Sequence, residues 1–252
     1  MDSGSVTVSS ENTSMTADAY GIYVESNGQT VMLGDLAISA SAITGRENAT
    51  AYALSTNNLN NKIEGGDLVL TASAQSAQYA SASGITAWQN AGDTSLPGST
   101  IGLKDLSVTV SAEVTGADGE AYAAGIDGDD KSEIHAGNGG IAVSAKSASG
   151  SSVYAAGIDS RNGSVSMGDA TVKVLAEGVD NTVAAYGIRA WNDNDSVRTG
   201  HVDVTVQATG GSEDNGYVEA IALLAKGGRC QCGRRDACRR FGKRLCRRGT
   251  CQ

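Results

Sequence analysis

Five stretches of the chain alternate large or β-branched residues with small or polar ones at every second position: LAISASA from Leu36, LVLTASA from Leu68, LSVTVSA from Leu106, TVKVLA from Thr171 and VDVTVQA from Val202. Period two is the signature of a strand with one buried face, and the helical period of 3.6 is kept nowhere in them. Between the strands lie ESNGQ, NNLNN, DGDDKSE, SRNGS and NDNDS, rich in the Asn, Asp, Gly and Ser that tight turns accept. The pattern predicts an all-β chain of short strands and turns.

Two landmarks repeat along it. A short apolar step ends at Ile22, Leu54, Ile85, Ile126, Ile158, Ile188 and Ile221, with spacings of 32, 31, 41, 32, 30 and 33. A second step, usually Gly-Asp followed by a strand, falls at Asp35, Asp67, Asp105, Gly140, Asp169 and His201, with spacings of 32, 38, 35, 29 and 32. Two landmarks holding one period define a repeat array of about 32 residues per unit. One unit alone buries almost nothing, whereas stacking the units at about 4.8 Å aligns the Ile and Leu landmarks into ladders and gives each backbone amide a partner in the next unit. A β-solenoid of about seven coils is the expected fold. Pro97 lies in the longest repeat, where a loop bulging from one coil loses no ladder bond. Gly4 precedes Gly34 by 30 residues, so the array begins in mid-repeat. Neither end shows a polar cap, and the solenoid therefore reads as a fragment.

Composition changes this picture in two ways. Aromatic residues make up 4% of the 252 residues, with one Phe, so the core must be filled by Ala, Ile, Leu and Val. The charge is divided: residues 1–228 carry 10 Lys and Arg against 27 Asp and Glu, a net of -17, and residues 229–252 carry 9 against 1, a net of +8. All five cysteines lie in that second stretch. Two regions follow, a solenoid over 1–228 and a Cys/Arg-rich tail over 229–252. The acidic solenoid is a poor nucleic-acid binder. No apolar run long enough for a membrane helix occurs, and the first residues lack the basic and apolar segments of a signal peptide.

The iterated A-Y-G-I, turn, then G-D-h-x-h-x-A-S-A, in a body free of Cys and Phe, resembles the passenger domains of bacterial autotransporters, surface proteins of Gram-negative bacteria. The resemblance covers residues 1–228. It implies a right-handed parallel β-helix, display at the cell surface or release outside it, and membrane attachment only through a translocator barrel that this chain does not contain. It also implies adhesion, aggregation, proteolysis or toxicity as activities. A cysteine-free body agrees with passage through an oxidising periplasm.

The tail has the spacing C-x-C-x5-C-x7-C-x4-C, without a C-x-x-C pair or a histidine, which does not meet zinc-site spacing. A disulfide-knotted basic module or a patch for nucleic acid or anionic lipid is one reading. The favoured reading is a shift of reading frame: CGN arginine codons read one base later become GNN codons, and residues 230–236 then permit V-S-V-G-D-A-T, close to Val165–Thr171 and in phase with the array. The tail is expected to lack order.

Candidate chemistry in the solenoid is sparse. His135 and His201 are its only histidines, neither has an obvious triad partner, and no G-x-S-x-G occurs. No catalytic residue, metal ligand or cofactor is assigned. Asp127, Asp129 and Asp130, and Asp193 and Asp195, lie in acidic stretches that match neither an EF-hand nor a nine-residue calcium roll, and read as solvated turns. Asn27, Asn58, Asn162 and Asn192 read as structural turn ladders, with lateral self-association through such rows as a further option. Trp88 and Trp191 occupy the same phase, three residues after Ile85 and Ile188, where other copies carry Glu25, Asn57, Asp129 and Arg161. A polar phase is an outer edge, and indoles there suit stacking on sugar rings or anchoring a partner. The expected function is a noncatalytic passenger fragment in adhesion or self-association, through a host or bacterial glycan or protein. The alternative is a polysaccharide lyase or hydrolase with its site on missing coils. An acidic cluster with a basic partner on neighbouring coils favours that enzyme, and uniform polar turns favour adhesion.

Overall fold

The computed structural model describes residues 3–57, 60–88, 97–129, 131–148, 152–179, 182–192, 195–210, 217–226 and 229–232, the last four without side chains. Each coil contributes three strands. Coil 1 holds β1 (Ser3–Asn12), β2 (Ala17–Val24) and β3 (Thr30–Met32), and coil 2 holds β4 (Asp35–Thr44), β5 (Asn48–Asn57) and β6 (Lys62–Glu64). Coil 3 holds β7 (Leu68–Ser76), β8 (Tyr79–Trp88) and β9 (Thr100–Gly102), and coil 4 holds β10 (Leu106–Val114), β11 (Glu120–Asp129) and β12 (Glu133–Ala136). Coil 5 holds β13 (Gly139–Ser147), β14 (Ser152–Arg161) and β15 (Ser164–Met167), and coil 6 holds β16 (Ala170–Glu177), β17 (Val183–Ala190) and β18 (Ser196–Thr199). Coil 7 holds β19 (Val202–Thr209), β20 (Val218–Ala225) and β21 (Arg229–Cys232).

Every strand pairs in parallel with its counterpart one coil away, which produces three seven-stranded sheets and a parallel β-helix. No helix occurs among the described residues. The three sheets enclose one core of Ala, Ile, Leu and Val with a single Met, and its largest fully buried side chains are Ile and Leu. Ladders run along it, Ile22–Leu54–Ile85–Ile126–Ile158–Ile188–Leu223 on the second sheet and Val31–Ile63–Ile101–Ile134–Val165–Val197 on the third. Stacking Ile, Leu or Val at every rung is what a repeat with so few aromatics needs to fill its interior.

The two sequence landmarks have separate physical causes. In the apolar step, a Cβ on Gly125 would stand 2.3 Å from Ile141 Cγ2 and 2.5 Å from the Gly157 carbonyl oxygen, so the strand passes the first sheet too closely for a side chain. In the Gly-Asp step, each aspartate caps the following coil: the backbone N–H groups of Asp67, Asn138 and His201 donate to Asp35, Asp105 and Asp169 Oδ1 at 2.9, 2.9 and 2.7 Å. The preceding glycine makes room for that carboxylate, since a Cβ on Gly66 would lie 2.0 Å from Asp35 Oδ1. Coil 4 carries Lys104 at the glycine position, and its bond from Asp105 N–H to Asp67 Oδ1 is the long one, 3.3 Å.

Three alignments are corrected by the register. Asn138, not Gly140, takes the aspartate position in coil 5, because its amide oxygen accepts from Asp169 N–H in the same way, at 2.9 Å. Leu223, not Ile221, ends the apolar ladder; Ile221 faces Tyr186 on the other side of the strand. Gly4 pairs with Leu36 rather than Gly34. In the tail, Arg229–Cys232 form β21 on β18, with Cys230 opposite Val197. Residues 233–252, on which the frame-shift reading mostly rests, lie outside the described residues, as do Asn58, Asp130 and Asp193.

Candidate functional site

Among the described residues, charged and aromatic groups converge on the outward side of the second sheet. Alternation breaks at Gly125 in β11 and at Gly157 in β14, which the ladder skips, so Tyr122 and Asp127, and likewise Tyr154 and Asp159, face outward together although each pair is five residues apart. Both pairs come from the same segment, YAAGID, at the same repeat phase. Tyr122 Oη donates to Asp127 Oδ2 and Tyr154 Oη donates to Asp159 Oδ2, each at 3.0 Å. Parallel stacking then lays Tyr122 flat on Tyr154, ring centroids 5.0 Å apart, with Tyr186 tilted against Tyr154 at 5.5 Å.

Arginines from the next coils close the carboxylates. Arg161 Nη2 donates to both oxygens of Asp127, at 2.9 and 2.8 Å. Arg189 Nε donates to Asp159 Oδ1 at 2.7 Å, and its Nη2 donates to Oδ2. Asp159 is completely buried and Asp127 nearly so. Burial pushes the Asp127 carboxyl above its ordinary range against the pull of Arg161. Burial likewise raises the Tyr122 and Tyr154 hydroxyls, with the neighbouring aspartates adding to it. Tyr52, which lies on the same face and bonds Ser81, is pushed up to about 12, chiefly by burial.

Trp88 and Trp191 belong to this face. Asn57 pairs with Trp88 and Asp129 with Arg161, and the Trp191 N–H donates to the Ser160 carbonyl at 3.1 Å, the next rung after Ser160–Ala190, so the shared phase is a shared row. The two indoles are three coils apart, about 14 Å, and do not form a single platform. Their settings differ. Trp88, at the end of its strand, is 45% exposed. Trp191 is held between two cations, Arg189 at 4.8 Å and Lys226 at 4.3 Å from its ring centroid.

The acidic stretches are not all solvated turns. Asp127 is a strand residue in an ion pair. Asp195 is buried and clamps its own turn, accepting from the backbone N–H groups of Trp191 and Asn192 through Oδ2. No cluster of metal-binding side chains occurs among the described residues. Both histidines are half exposed, His135 within β12 and His201 just before β19: His135 Nδ1 lies 2.7 Å from Ser166 Oγ, and His201 Nε2 lies 3.6 Å from Asp203. Of the predicted turn asparagines, Asn162 adopts a left-handed backbone, φ 67°.

Sequence reading passed over Tyr122, Tyr154, Asp159 and Arg189. The available signal was the twice-repeated Tyr-x4-Asp at one phase, followed by an Arg one coil later. No protein family, curated protein or solved structure matches the chain.

Proposed function

We propose that the chain is a noncatalytic recognition scaffold of the surface-displayed passenger type, acting in adhesion or self-association, with the outer face of the second sheet as its contact surface. The observation that carries this reading is the state of the two buried carboxylates. Each has both oxygens engaged by an arginine and one by a tyrosine. Groups so engaged hold a surface in shape; an acid or base must instead face the bond it acts on. Trp88 and Trp191 mark two ends of the contact strip, and a glycan or a protein surface suits such aromatic anchors.

A polysaccharide lyase or hydrolase is the second reading. It draws on the meeting of Asp127, Asp159, Arg161 and Arg189 on neighbouring coils, and on the raised Asp127 carboxyl, a property general acids share. One pair of assays separates the two. The chain is passed over immobilised glycans and proteins and over itself, and is incubated with acidic and neutral polysaccharides. Saturable retention or concentration-dependent self-association without new chain ends supports the scaffold. Turnover that is lost in Asp127→Asn would establish the enzyme in its place.

A further inference from the structure

Among the described residues, eight buried side-chain polar atoms have no hydrogen-bond partner, and three of them, Ser55 Oγ, Asn57 Oδ1 and Thr86 Oγ1, are neighbours. Ser55 pairs with Thr86 and Asn57 with Trp88 across β5 and β8, all four on the outer face of the second sheet. The four side chains therefore stand at the corners of a rectangle about 4.8 Å by about 6.6 Å. Its aromatic corner is half exposed, and its other three corners are withdrawn from water without compensation. Buried polar groups in a folded protein nearly always find partners, and a group of three left open on one small patch points to an external partner.

We infer that Ser55, Asn57, Thr86 and Trp88 form a subsite for one neutral sugar ring, the indole stacking on the ring face and the three oxygens exchanging hydrogen bonds with its hydroxyls. The inference rests on the reading of this face as a recognition surface and names its ligand class. Chemistry selects the class. Two hydroxyls that both donate and accept, beside an amide oxygen that only accepts, match a ligand whose own groups are hydroxyls. The Asn57 amide nitrogen is already committed, donating to Tyr23 Oη at 3.1 Å, which fixes the oxygen as the free end. Divalent cations need carboxylates that these corners lack. An anionic sugar would approach a solenoid with a net charge of -17 over residues 1–228, with Asp127 and Asp129 one coil away. Because the three oxygens are closed to water in the unliganded chain, the inference requires a side chain on this face to turn for the ring to enter.

The test uses the full chain and its two tryptophan indole N–H signals in ¹H–¹⁵N spectra, assigned with Trp88→Phe. Methyl glucoside, galactoside and mannoside are titrated, with methyl glucuronide as the charged control. The expected result is a saturable shift of the Trp88 signal with one or more neutral glycosides, and a weaker or absent response to the glucuronide. The double variant Ser55→Ala/Thr86→Val should bind at least about tenfold more weakly, because two hydrogen bonds are lost. Its Tm should be equal to or higher than that of the parent, since removing unpartnered buried hydroxyls does not cost stability. A purely structural role for these residues predicts the opposite Tm change. The inference is overturned if the Trp88 indole responds to no neutral glycoside, whatever Trp191 does, or if the double variant binds as the parent does. Should the chain still adhere to surfaces in that case, the recognition reading survives without this subsite. Failure of glycoside binding and adhesion together would remove both.

Discussion

Outward rows on the two long sheets share one stacking geometry and have opposite contents. On the first sheet the row Thr7, Ser39, Thr71, Thr109, Ala142, Lys173 and Thr205 is exposed or half-buried. On the second sheet the row Ser55, Thr86, Asp127, Asp159 and Arg189 is buried, although it also points away from the core. Polar groups on the first face exchange bonds with water, so each is replaceable. Those on the second have left water: Asp127, Asp159 and Arg189 are held in ion pairs, and Ser55 and Thr86 are left without a partner. Withdrawing charges from water is costly even when they are paired, and a solenoid gains nothing from it that Thr and Ser do not already supply on the first face. That cost is what the proposed contact role of the second face would account for.

The largest break in the comparison is expected from Asp159→Ala. It leaves Arg189 with its guanidinium beside Tyr154, Tyr186 and Trp191 but without its carboxylate. Removing one partner of a buried pair typically costs about 3–5 kcal/mol, read as a lower urea midpoint at unchanged m-value. A loss below about 1 kcal/mol, the range of exposed pairs, would mean that the face is wetter in solution and that its burial does not distinguish it.

Gly125→Ala probes the inner side of the same sheet and should come next. The added methyl meets Ile141 and the Gly157 carbonyl inside van der Waals distance, and overpacking of this kind costs about 1–3 kcal/mol. Both coils must move apart locally, so hydrogen exchange should quicken in β11 and β14 and leave β2 and β5 unchanged. A neutral result would show that the sheets can separate freely, as Ala53 at the equivalent position of coil 2 already hints.

These residues also show where sequence was sufficient. Coil number, parallel stacking and an aromatic-free core were legible because the inward rows repeat Ile, Leu and Val at one period, and burial permits little else there. Asn138 and Leu223 were misplaced by two residues because the landmarks were matched by residue type, whereas the structure aligns them by the bond each makes. The charged face was less legible. Asp127 sits among Gly and Asp residues that look like a turn, and its partner Arg161 is 34 positions away. Only after the coils are stacked do Tyr122, Asp127 and Arg161 become neighbours. Trp88 and Trp191 were found by phase alone, but phase does not tell that two cations enclose one of them and leave the other open.

The smallest effect is expected on the first sheet, and it completes the comparison. Ser73→Ala, Thr109→Ala and Ser111→Ala together remove one outward hydroxyl bond, Ser73 Oγ to Ser41 Oγ at 3.0 Å, from the open outer face of the first sheet. Surface substitutions of this type stay within about 0.5 kcal/mol each, so the triple variant should melt within a few degrees of the parent and adhere equally well. If adhesion fails in this variant while its unfolding curve is unchanged, contact belongs to the Ser/Thr face. The buried charges of the second sheet would then be an internal strut, and the roles assigned to the two faces would have to be exchanged.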